Sequence, residues 1–284
     1  MLPPRWLALA LASALAASPL ATAQYADSVV AYHPGAGFAT DFSTGAGYTN
    51  ITAVLGSPSI VTPGPWGGPV DPLSPPYLPS QLLSLGTGGS LTVRLNTPIE
   101  NDPSHPFGSD FLVFGSAGFT ITNGDYAGGG ITDGSLFSHN PGQTRVSISA
   151  DNVTYYLLDP GKAPTADGLF PTDGNGDSSR PVNPALKSAS FAGQGLPGIR
   201  SLYAGSGGGT GYDLSWAVDE QGRSTTLSRV AYVRVDVLEG HSEIDAFSVV
   251  PEPATWMLFV VGAGALWGLR RQKRRGAAAG WATL

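Results

Sequence analysis

The chain contains no cysteine. A disulfide framework, thiolate metal sites and cysteine nucleophiles are therefore excluded. Charge is also scarce: 13% of the 284 residues are Asp, Glu, Lys or Arg. Between residues 24 and 250, 9 Lys and Arg stand against 20 Asp and Glu, a net charge near −11. A domain of that sign repels phosphate backbones, so nucleic acid is not an expected partner. It attracts calcium or cationic partners instead. Catalytic signatures are missing as well. The four histidines, His33, His105, His139 and His241, are scattered without a helical i, i+4 pair, and no Gly-x-Ser-x-Gly elbow occurs. The expectation is a protein that is not an enzyme. A secreted polysaccharide hydrolase is the alternative, because paired carboxylates need no sequence spacing. A purely structural matrix protein is a further one.

Gly and Pro are abundant, with 39 and 24 residues. They are the two poorest helix formers, and their abundance suits short strands joined by turns. A hydrophobic fraction of 42% and an aromatic fraction of 10% argue for a packed core rather than disorder.

Residues 1–23 read as a secretory signal peptide. Arg5 supplies the positive start, Trp6 to Ala17 the apolar run, and Ala21-Thr22-Ala23 the small-x-small cleavage site. Signal peptidase and the secretion machinery are the implied partners, and Gln24 becomes the first mature residue.

Residues 24–85 form an N-terminal strand and a Pro/Gly-rich loop region. Tyr25 to Tyr32 reads as a short amphipathic segment. Gly56 to Pro79 is too rich in proline for a central strand and reads as a covering loop. Trp66 in that loop is a candidate sugar-stacking platform, and Tyr126 and Tyr203 are further candidates.

Residues 86–250 carry the strand patterns. Leu91, Val93 and Leu95 alternate with polar residues, as do Val146 and Ile148, and Ala231 to Val237. Asp110-Phe111-Leu112-Val113-Phe114 suits a strand buried on both faces. Asp151-Asn152 reads as a two-residue turn leading into a partner strand at Thr154 to Leu158. Ile199 to Tyr203 and Tyr212 to Val218 read as further strands, Gly205 to Gly211 as a flexible tract, and Ile244 to Val249 as the closing strand. The expected fold class is all-β, a jelly roll or β-sandwich with long Gly/Pro-rich loops. No repeat at a fixed period is present.

Two oxygen-rich constellations are candidate calcium sites. Asp173-Gly174-Asn175-Gly176-Asp177 offers oxygen ligands at alternate positions. An EF-hand would need glutamate near position 184, where Pro184 stands, so only a looser loop remains, beside the reading as an acidic surface turn. Asp110, Glu243 and Asp245 would form a second oxygen site if their strands are adjacent.

Several of these segments resemble a family of bacterial cell-surface proteins. They are Gly88-Gly89-Ser90-Leu91-Thr92-Val93, Asp110 to Phe114, Val146 to Tyr155, Tyr232 to Asp236 and Glu243 to Ala246. The resemblance implies an ectodomain similar to discoidin or galactose-binding-like jelly rolls, and carries with it an expectation of carbohydrate binding.

Residues 254–269 hold no charge. As a helix they would be about 24 Å long, which reaches across a bilayer core of about 30 Å when flanking arginines snorkel. The basic cluster Arg270 to Arg275 follows and places that end in the cytoplasm. Pro251-Glu252-Pro253, the span 254–269 as a transmembrane helix and the basic cluster beginning Arg270-Arg271 together resemble the PEP-CTERM sorting signal, with 276–284 as a short tail. The resemblance implies recognition and cleavage by an exosortase. It also implies transit through the inner membrane and delivery to the surface or exopolysaccharide matrix of a Gram-negative bacterium.

Overall fold

Alternating apolar and polar residues produce long antiparallel strands, and the proline- and glycine-rich stretches between them wrap the outside. The computed structural model describes residues 24–65 and 67–252. In chain order the strands are β1 (Gln24–His33), β2 (Val61–Thr62), β3 (Gly68–Pro69), β4 (Leu83–Leu85), β5 (Ser90–Glu100), β6 (Phe111–Gly115), β7 (Gly118–Ile121) and β8 (Ile131–Phe137). They continue with β9 (Thr144–Ser149), β10 (Tyr156–Leu158), β11 (Gln194–Gly195), β12 (Thr210–Tyr212), β13 (Ala217–Val218), β14 (Arg229–Val237) and β15 (Ser242–Val249).

The main sheet runs β12-β6-β15-β1-β5-β14-β9-β10-β13, with β4 also pairing β15. Strand β1 is its corner. Gln24 and Tyr25 pair with Val249 and Ser248 of β15, whereas Ala26 to His33 pair with β5. Irregularities between Ala26 and Ser28 and between Val29 and Ala31 bend the strand, the usual device for curling a sheet. These bulges also break the two-residue alternation, which is why the sequence reads here only as a short amphipathic segment.

The curled sheet closes over one core. Leu91, Val93 and Leu95 of β5, Val146 and Ile148 of β9, and Val233, Val235 and Val237 of β14 meet Phe111, Val113, Ile244 and Phe247 of β6 and β15. Phe111 stacks on Tyr212 with ring centroids 5.1 Å apart. The other side of β6 and β15 is also covered: Leu112, Phe114, Ala246 and Val250 form a separate buried cluster. The continuous apolar run at 111–114 is thus buried on both faces, as its pattern predicts. The architecture is mostly β and consistent with a β-sandwich.

A smaller antiparallel sheet, β11-β8-β7, sits apart from the main one. Phe119, Phe170, Phe191, Ile199 and Tyr203 pack together beside it. Ile199 and Tyr203 belong to a helix, Leu196–Tyr203, rather than the strand expected there. Pro197 opens its first turn, where a missing N–H costs nothing, and Ile199 and Tyr203 are spaced four apart so that both face the cluster. Ala204 closes the helix in the left-handed region.

Two further expectations are corrected. The hairpin β9–β10 exists, but its register pairs Tyr156 with Ile148, leaving a loop longer than two residues. Asp151 Oδ1 accepts the N–H groups of Val153 and Thr154 at 2.9 Å, which opens the turn. The tract at Gly205 to Gly211 is largely buried rather than loose. A β-carbon on Gly208, where φ is +86°, would come within 2.2 Å of the Pro171 carbonyl oxygen. Glycine lets this strap pass against its neighbours. The stretch Tyr212 to Val218 is broken by a 3-10 turn at Leu214–Trp216, where Asp213 caps the Ser215 N–H at 2.7 Å.

Candidate functional site

Loops from three parts of the chain converge around one end of β15 and enclose a cleft of about 540 Å³. Its walls carry Phe42, Tyr48, Tyr77, Tyr126 and Phe137, and Glu243 lies among the lining residues. Phe42 is 80% exposed and Tyr126 79%. Large aromatic rings left this open forgo burial worth about 1.5–3 kcal/mol apiece.

Local hydrogen bonds hold the turn that carries Phe42, the Tyr48 hydroxyl and the loop that carries Tyr126. Asp41 Oδ1 accepts the backbone N–H groups of Ser43 and Thr44 at 2.9 and 2.7 Å and their hydroxyls at 2.7 and 2.9 Å. Those hydroxyls hold the Asp41 carboxyl down at about 2. The Gly45 N–H returns to Asp41 O at 2.8 Å, so Phe42 projects from a closed turn. The Tyr48 hydroxyl donates to Tyr77 O at 2.7 Å, and the Phe42 and Tyr77 rings lie 5.8 Å apart. Tyr126 sits in the loop between β7 and β8. Asn123 braces that loop, accepting from the Ile131 N–H at 3.0 Å and donating to Gly129 O at 2.9 Å.

Glu243 contributes the carboxylate. Its backbone N–H donates to Asp167 Oδ2 at 2.8 Å, and its carboxyl lies 3.7 Å from His241 Nε2. Burial pushes the Glu243 carboxyl up, while the Ser116 hydroxyl and the His241 ring pull it back. Asp167 behind it is fully buried and raised well above the usual carboxylate range by desolvation. Gly115 is required here: a β-carbon would come within 2.0 Å of Asp167 Oδ1.

The sequence-derived calcium candidates face other partners. Asp173 is 3% exposed and receives a two-pronged contact from Arg200, 2.7 Å at Nε and 2.9 Å at Nη2. The Asn175 N–H donates to Asp173 Oδ1 at 3.1 Å, and Asp177 Oδ1 accepts from the Ser179 N–H and hydroxyl at 2.9 and 2.6 Å. In the second set, Asp110 takes His105 Nδ1 and the Leu214 N–H, each at 2.7 Å. Asp245 takes both the N–H and the hydroxyl of Ser59 at 2.8 and 2.9 Å, and burial pushes its carboxyl up to about 7. Among the described residues no three His, Asp or Glu side chains gather as a metal cluster.

Of the stacking candidates, Tyr126 lines the cleft. Tyr203 is buried and its hydroxyl donates to Pro171 O at 2.9 Å, so its ring cannot meet a ligand. Trp66 lies outside the described residues, as do Ala21, Ala23, Pro253, Arg270, Arg271 and the span 254–269. Gln24 begins β1, and Pro251 and Glu252 follow β15 after Val250. Among the described residues no helix is long and apolar enough to cross a membrane. Phe42, Tyr77 and Phe137 went unnoticed as ligand residues because they lie on separate segments; only the Asp41-Phe42-Ser43-Thr44 turn signature marks one of them locally.

No curated protein matches the chain. The family defined by the PEP-CTERM protein-sorting motif matches residues 249–275, from the last residue of β15 through the basic cluster. The motif implies export to a bacterial cell envelope and processing by an exosortase.

Proposed function

We propose that this protein is a non-enzymatic component of the outer surface or exopolysaccharide matrix of a Gram-negative cell, and that its aromatic cleft holds polysaccharide. The exosortase releases it there by cutting away the apolar tail. The observation that carries the binding reading is the pair of nearly fully exposed rings, Phe42 and Tyr126, held on hydrogen-bonded turns at one cleft. Sugar rings present apolar C–H faces that pack on aromatic faces, and the polar edges then need a few placed acceptors. Thr40, Ser74, Ser116, Thr120, Ser138 and Glu243 offer such groups in the lining.

A glycan array probed with the purified protein, followed by reducing-end analysis, tests this. Specific binding without release of new ends is expected. Released ends would establish a hydrolase instead, and silence across the array would leave a structural matrix protein.

A further inference from the structure

We infer that the cleft selects a polysaccharide bearing free amines, with Glu243 as the anion that receives the ammonium group. The inference rests on reading the cleft as a glycan site and adds the class of glycan.

Most acids of this fold have close partners. Asp27, Asp173, Asp219 and Asp236 each have a guanidinium nitrogen at 2.7–2.8 Å. Asp41 has four hydrogen-bond donors on one oxygen, and Asp245 has both Ser59 donors. Even the deeply buried Asp167 receives the N–H groups of Glu243 and Ala117. Among the buried acids Glu243 stands apart. Its side chain is 10% exposed, and the only basic side chain near it among the described residues is the ring of His241, at 3.7 Å, beyond hydrogen-bond distance. The neighbouring Ser116 hydroxyl is shared, lying 3.0 Å from Ser138 O as well as beside the Glu243 carboxyl. A nearly buried carboxyl with one shared hydroxyl and no close guanidinium or ammonium is costly unless something outside the chain completes it.

The rest of the cleft says what that partner is. No Lys or Arg lines it among the described residues. Asp167 adds a second acid behind Glu243 and Tyr48 a phenol beside it, and among the described residues His241 is the one basic side chain near the carboxyl. Uronic, sulfated and phosphorylated chains find no Lys or Arg among the described lining residues. A neutral hydroxyl can satisfy one lone pair of Glu243 but leaves its charge uncompensated, whereas an ammonium on a stacked sugar ring supplies both donor and charge.

The test is calorimetric titration of the full-length protein in detergent micelles with a β-1,4-glucosamine hexamer, its fully N-acetylated counterpart, cellohexaose and hexalysine. The expected result is binding of the free-amine sugar roughly tenfold or more tighter than the acetylated one. Glu243→Gln brings the two sugars to similar affinity. His241→Ala, which removes the competing ring at a half-exposed position, widens the preference. Phe42→Ala weakens every sugar. Equal affinity for the amine and acetylated sugars in the native protein overturns the inference while leaving glycan binding intact. A preference that survives Glu243→Gln also overturns it, as does hexalysine binding as tightly as the amino sugar. Failure of every sugar to bind removes both this inference and the reading of the cleft beneath it.

Discussion

Asp173 and Glu243 are both acids less than a tenth exposed, yet their surroundings differ. Asp173 sits in a loop that reads as a cation site, and the fold gives it a cation of its own in Arg200. The strap Gly205 to Gly209 locks that loop from the other side: Asp173 N–H donates to Gly207 O and Asp177 N–H to Gly205 O. Glu243 sits on a strand, where its sequence neighbours suggest a metal and not a sugar, and the fold brings exposed rings around it without a guanidinium. One acid is internal structure. The other is left for an outside partner, which teaches that an acid's partners, more than the richness of its sequence neighbourhood, decide what it does.

That contrast can be broken by mutation. Arg200→Ala leaves a buried, unpaired carboxylate. We expect a loss of about 3 kcal/mol or somewhat less, since the guanidinium is one-third exposed, read as a drop in the urea midpoint. Glu243→Gln removes no cation pair closer than 3.7 Å, and its urea midpoint should be unchanged or raised. Equal losses in the two variants would abolish the distinction between the loop and the cleft.

Phe42→Ala and Tyr126→Ala sharpen it further. Both rings are exposed, so each change should move stability by no more than about 0.5 kcal/mol. Each should weaken glycan binding by about 1–1.5 kcal/mol, roughly tenfold. Denaturation and titration of the same preparations separate the two effects.

Acidity gives a third probe. Burial holds the folded Asp245 carboxyl at about 7, whereas in the unfolded chain it ionises near 3.9. Its contribution is therefore fully present below about pH 4 and is lost as pH rises through 7. Asp245→Asn should gain on the native protein across that window and be the more stable of the two at pH 8. Midpoints for both proteins at pH 4 and pH 8 check the sign. The smallest effect concerns calcium. With Asp173 held by Arg200 and Asp177 by Ser179, melting curves in calcium and in chelator should coincide. A raised melting temperature in calcium would restore the loop as a cation site.

Local signals in the sequence carried much of the fold. Strands β5, β6, β9, β14 and β15 follow from alternation or from an unbroken apolar run, because burial on one or two faces writes itself into adjacent residues. The sorting motif at 249–275 is legible because its Pro-Glu-Pro, uncharged run and basic cluster are contiguous. Strand β1 is blurred by its bulges. The helix Leu196–Tyr203 is too short for its period to separate from a strand. The Gly strap reads as loose because its ordering comes from neighbours distant in sequence. The cleft is the extreme case. Tyr126 and Glu243 each draw notice singly, Glu243 for calcium, but nothing local to positions 42, 77, 126, 137 and 243 says that the fold gathers them.

The central claim is that ligand contacts fall at the cleft and not at the acidic loop. Hydrogen exchange of the full-length protein with and without the glucosamine hexamer measures this directly. The account predicts slowed exchange at 40–48, 73–77, 116–126 and 241–243, with residues 173–177 unchanged. Protection confined to 173–177, or protection nowhere, would contradict it.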